Sequence, residues 1–136
     1  MKGFSSASIL IALSVQGCAT APAQHYIYFP SLAQRVLSGD ENALREVLAK
    51  ARTTQPGEQL EELAEISSKF VRINPTAFLR VQSTTEGCFG VDFMGLDYVD
   101  DQAATLKENA LRYNALNGVS DPALNGIKER CLAWLD

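Results

Sequence analysis

From residue 31 onward, apolar residues recur at helical spacing over most of the chain. Leu32, Val36 and Leu37 share one face of a short segment that Ser31 opens and Gly39 closes. Asp40 reads as an N-cap with Glu41 in the first turn, and Ala43, Leu44, Val47, Leu48 and Ala51 follow on one face. Thr53–Gly57 breaks the pattern. Leu60, Leu63, Ala64, Ser67, Phe70 and Val71 then mark a longer helix. Asn74-Pro75 is a cap and first-position pair for the next one, with Ala77, Phe78 and Val81 facing inward. After an irregular stretch, Asp101 caps a helix with Ala104, Leu106, Ala110, Tyr113 and Leu116, ended by Asn117-Gly118. Asp121-Pro122 opens the last helix, with Leu124, Ile127, Cys131, Trp134 and Leu135 on its apolar face. The pattern predicts an all-α fold: a compact domain of about five to six helices, interrupted by one glycine-containing irregular loop.

Residues 40–82 form three predicted helices with short connections. Their spacing resembles α-solenoid units of the HEAT type over about a third of the chain, with too few units to bury the faces of a true solenoid. Ser83–Asp101 has another character. Gly87, Gly90 and Gly95 punctuate it, and Val91, Phe93, Met94, Leu96, Tyr98 and Val99 make it apolar without a helical period. A long loop inside a small domain is often functional. His25–Pro30 is aromatic and is expected to lie extended across the core.

The N-terminal stretch has its own pattern. Lys2 precedes an apolar run from Ala7 to Val15, which is too short for a bilayer span of about 20 residues. Leu13-Ser14-Val15-Gln16-Gly17-Cys18 follows, with Gln16 where a small or apolar residue is usual. This stretch resembles the lipobox of bacterial lipoproteins. The resemblance implies cleavage before Cys18 and lipidation of its thiol. In such lipoproteins Ala19, rather than Asp, next to the Cys implies an outer-membrane destination facing the periplasm. The implied organisation is a signal peptide over 1–17, an acylated Cys and tether over 18–24, and a single helical domain over 25–136. The tether after Cys18 is small and uncharged, and its six residues extend about 20 Å at most.

Removing residues 1–17 leaves 119 residues, enough for one core. Losing Lys2 leaves 11 basic against 16 acidic residues, a net charge of −5. That balance argues against nucleic acid and anionic lipid headgroups as ligands. Cys88 and Cys131 remain as an even pair, expected to form a disulfide in an oxidising compartment. Closing the loop between them stabilises the fold by about 4 kcal/mol in the chain-entropy model.

The irregular loop carries the least ordinary charge pattern. No Lys or Arg occurs from Val81 to Leu106, while Glu86, Asp92, Asp97, Asp100 and Asp101 do. Interleaved with Phe89, Phe93 and Tyr98, they form a candidate partner-binding surface, because aromatic anchors ringed by charge suit a protein interface. The spacing of Asp97, Asp100 and Asp101 does not fit an EF-hand, and helix capping accounts for Asp101. Glu58, Glu61, Glu62 and Glu65 lie three and four apart on one helical face. The apolar face is offset from them, so they are expected to be solvated rather than arranged for acid–base work on sugars. His25 is the single histidine, and no nucleophile elbow, phosphate loop or zinc-protease motif occurs.

No enzymatic activity, metal, cofactor or small-molecule substrate is therefore expected. The expectation is a lipid-anchored protein that binds another protein. The first candidate is an immunity or inhibitor protein that neutralises a basic secreted toxin or cell-wall hydrolase; the alternative is an adaptor of a secretion or outer-membrane assembly complex.

Overall fold

A computed structural model of the chain describes residues 28–136. The expected signal peptide, Cys18 and tether lie outside the described residues, as do residues 25–27 of the aromatic segment. Among the described residues there are six α-helices and no strands: α1 Pro30–Leu37, α2 Glu41–Ala51, α3 Glu58–Ile73, α4 Pro75–Gln82, α5 Gln102–Asn117 and α6 Asn125–Leu132. Short 3₁₀ turns at Leu96–Tyr98 and Pro122–Leu124 precede α5 and α6. No described helix is long and apolar enough to cross a membrane.

Polar side chains cap three of the six α-helix starts. The Asp40 carboxylate accepts N–H bonds from Asn42 and Ala43, the Asn74 side chain from Ala77, and the Asp101 carboxylate from Ala104. Each satisfies a donor that a helix start leaves without an intrahelical partner. The bond from Ala43 leads the causes that hold the Asp40 carboxyl below its ordinary range. The first helix departs from expectation. Pro30 opens it after Phe29, rather than Ser31 capping it, because proline's fixed φ suits the first helical position.

Helix α3 is the centre of the packing and touches α1, α2, α4 and α5. Phe70, Phe78, Leu44, Leu63, Ile66, Leu79 and Leu116 are the largest fully buried apolar side chains. With neighbours on several sides, α3 buries every residue from Glu62 to Ser68, so the polar ones must find partners inside. Helix α6 closes the far side, where Cys131 is fully buried and bonded to Cys88. The expected disulfide is present and ties the irregular loop to the last helix.

Four apolar assignments fail, in α1, in α5 and after α6. Leu37, the last residue of α1, is exposed, because it points about 100° around the helix from the buried Val36. Trp134 lies beyond α6, in a turn that buries Leu135 instead, and is 62% exposed. In α5, Leu106 and Ala110 face out, while Glu108 and Arg112 are buried. Helix α5 turns that charged face inward because it packs on the irregular loop, whose backbone needs donors.

Candidate binding groove

The irregular loop is fixed by buried polar side chains from three helices. The Gln82 amide, fully buried at the end of α4, grips Phe89 at two points: its Nε2 donates to the Phe89 carbonyl (2.9 Å) and its Oε1 accepts the Phe89 N–H (3.0 Å). Ser67 of α3 donates its hydroxyl to the same carbonyl (2.8 Å). Arg112 of α5 donates from one guanidinium nitrogen to the carbonyls of Val91 (3.1 Å) and Phe93 (2.7 Å). Its Nε is held by Glu108 (3.1 Å), whose other oxygen pairs with Arg72 (2.8 Å). Buried carbonyls without such donors would each cost about 1–3 kcal/mol. Gly90 lets the loop reach α3: its φ is +83°, and a Cβ there would sit 2.5 Å from the Ala64 carbonyl oxygen. With Cys88 bonded to α6, residues 88–93 are tied to four helices.

Past Phe93 the loop turns outward. Gly95, at φ +76°, brings the backbone beside the Glu65 side chain and starts the 3₁₀ turn. The Thr105 hydroxyl donates to the Tyr98 carbonyl (3.3 Å). Leu96 and Val99 are left 66% and 70% exposed, next to the apolar Phe93, Met94 and Tyr98 of the same loop.

The opposite wall is the acidic face of α3. Glu58, Glu61, Glu62 and Glu65 stand at i, i+3, i+4 and i+7, so they form one row. Glu58 and Glu61 are exposed as the sequence predicts, but Glu62 and Glu65 are buried, at 5% and 6%. The expectation of a solvated row fails because the loop and the N-terminal segment fold over its lower half. Glu62 accepts the backbone N–H groups of Tyr28 and Phe29 at 2.8–3.2 Å. Glu65 pairs with Lys69 at 3.2 Å. The Tyr28 phenol donates to Glu58 at 2.8 Å, and that bond, with the negative charge behind it, holds the phenol above its ordinary pKa. Glu61 makes no side-chain hydrogen bond or ion pair among the described residues.

Between the walls lies a groove of ≈ 700 Å³, within the range of pockets that enclose a ligand. Phe93, Met94, Leu96, Tyr98 and Val99 supply its apolar side, the four glutamates its acidic side, and Tyr28, Gly95 and Thr105 complete the lining. Among the described residues, no Lys or Arg lines it. A second groove of ≈ 480 Å³ borders the same loop, lined by Leu60, Ala64, Phe89, Phe93 and Trp134 among others.

The residues expected to bind a partner do not form one patch. Phe93 borders both grooves, Tyr98 the first, and Phe89 and Asp92 the second. Glu86, Asp97, Asp100 and Asp101 line neither; all four are exposed, and Asp101 is engaged as the cap of α5. The acidic wall comes instead from α3, whose Glu-x-x-Glu-Glu-x-x-Glu spacing is visible in the sequence although its neighbour is not. Among the described residues, no group of three or more His, Cys, Asp or Glu side chains is arranged to hold a metal. No protein-family model, curated protein or solved structure matches the chain.

Proposed function

We propose that this chain is a lipid-anchored envelope protein that binds another protein through the groove between α3 and the irregular loop. The anchor is Cys18, and the mature domain faces the periplasm from the outer membrane. Within that role we favour an immunity or inhibitor protein, stationed where an incoming toxin or cell-wall hydrolase acts. It works by occupancy of a surface rather than by catalysis.

One observation carries the binding reading. The groove sets the exposed Leu96 and Val99 side chains on a loop whose residues 89–93 are held by buried polar groups and whose Tyr98 carbonyl is held by Thr105, so binding orders little that is not ordered already. The anchor rests on the lipobox-like residues ending at Cys18. An acidic domain also accelerates encounter with a basic partner.

The test is affinity capture with the full chain from envelope extract and from concentrated secretome, with a Leu96→Asp/Val99→Asp variant in parallel. The expected result is a secreted hydrolase or toxin captured by the wild type and lost with the variant. A set of envelope-complex subunits in its place would make the chain an adaptor. Equal capture by both chains would move the interface off the groove. For the anchor, Cys18→Ala should shift the protein from membrane to soluble periplasmic fractions; continued membrane retention would remove the lipoprotein assignment.

A further inference from the structure

The two walls of the groove specify what fills it. Its apolar side ends in Leu96 and Val99, which remain mostly exposed to water. Its other side is a row of carboxylates at helical spacing, with no Lys or Arg among the described residues of the lining. Glu65 is matched by Lys69, and Glu62 by two backbone N–H groups. Among the described residues, Glu58 accepts only from the Tyr28 phenol, and Glu61, one turn further along the rim, has no side-chain partner. The negative field in the groove is thus left for a ligand to balance, against a low-dielectric apolar wall that strengthens the attraction.

Resting on the protein-binding reading above, we infer that the groove takes a segment of the partner that presents one Lys or Arg side chain flanked by apolar residues. The cationic head meets Glu61 and Glu58 at the rim, and the flanking side chains cover Leu96 and Val99. Arginine fits better than lysine, because its planar fork can bridge two carboxylates one turn apart while its stem lies on the apolar wall. An apolar segment alone would leave the rim carboxylates to be desolvated without a counter-charge. An anionic segment would be repelled.

The probe is the acetylated, amidated pentapeptide Ala-Leu-Arg-Leu-Ala, titrated into the ¹⁵N-labelled full chain and followed by amide chemical shifts. The expected result is saturable shifts confined to Glu58–Glu65 and to residues 93–99, weakening with added salt. Replacing the peptide's Arg by Gln, or Glu61 by Gln in the protein, should each weaken binding about tenfold, as expected when one charge-assisted contact is lost. Glu61 is exposed, so Glu61→Gln should leave amide shifts away from the groove unchanged. Equal binding of the Arg and Gln peptides, shifts on another face, or none at millimolar peptide would overturn the inference. The capture experiment separates the two claims. A captured protein that binds Glu58→Gln/Glu61→Gln as tightly as wild type overturns the groove chemistry and leaves protein binding standing. Peptide shifts of the expected kind without any captured protein support the groove chemistry and remove the functional reading.

Discussion

Replacing Arg112 by Met tests whether buried polar side chains, rather than contacts of its own, hold the irregular loop. The side chain is 3% exposed, and Met keeps much of its stem volume. The change removes the donor to the Val91 and Phe93 carbonyls and leaves Glu108 buried with Arg72 alone. Leaving two loop carbonyls without that donor costs about 1–3 kcal/mol each, and Glu108 loses the buried one of its two cationic partners. That is a large part of the ~5–15 kcal/mol available to a domain of this size. At urea slopes of about 1–3 kcal/mol/M, the midpoint should fall by roughly 1 M or more. Arg72→Met is the internal control, because it removes the other partner of the same carboxylate. The Arg72 side chain is 48% exposed, so its pair is screened by water and its loss should cost no more than about 1 kcal/mol. Equilibrium urea unfolding of both variants gives the comparison. Equal midpoints for Arg112→Met and Arg72→Met would refute the reasoning, since they would show that the loop carbonyls do not depend on the buried guanidinium.

Gly90→Ala forces a side chain into a left-handed backbone and against the Ala64 carbonyl, so it should destabilise by roughly 1–3 kcal/mol and lower Tm by several degrees; an unchanged melt would show that the loop does not lie against α3. Cys88→Ser/Cys131→Ser opens a closed stretch of sequence separation 43 and should cost about 4 kcal/mol in urea, a loss that addition of reductant to the wild type should reproduce. Tyr28 should titrate above the ordinary tyrosine value near 10, as read from tyrosinate absorbance against a Tyr28→Phe reference, and Glu58→Gln should bring it down. The fold favours the neutral phenol, so this contact's contribution is complete below the unfolded value and is lost as pH rises through the raised one. A titration unaffected by Glu58→Gln would break the assignment.

The helical fold was legible because local signals agree with the packing. Asp40, Asn74 and Asp101 cap the helices they were expected to cap, and Leu44, Leu63, Phe70 and Phe78 are buried as their spacing requires. The site was less legible, because it depends on partners distant in sequence. Nothing near Gln82 announces that its amide will grip Phe89, and nothing near Arg112 points to carbonyls about twenty residues earlier. Apolar periodicity misjudged α5 for the same reason: Leu106 looked like core, but the neighbour α5 meets is a loop backbone in need of donors. The Glu58–Glu65 row was read correctly as one face and wrongly as wholly solvated. Burial of Glu62 and Glu65 is decided by where the loop and the chain before α1 return, which periodicity does not encode.

The most direct measurement is native-state hydrogen exchange at Phe89. A binding groove that is ready before its partner arrives needs a loop that does not open, and that loop is anchored four residues before its groove-lining Phe93 by the Phe89 N–H, which is donated to the buried Gln82 amide oxygen. This amide should exchange only through global unfolding, as slowly as core amides of α3, despite lying in an irregular loop. Exchange at the rate of an open loop, with α3 still protected, would contradict it: the wall would then be ordered only on binding, and the groove would not be preformed.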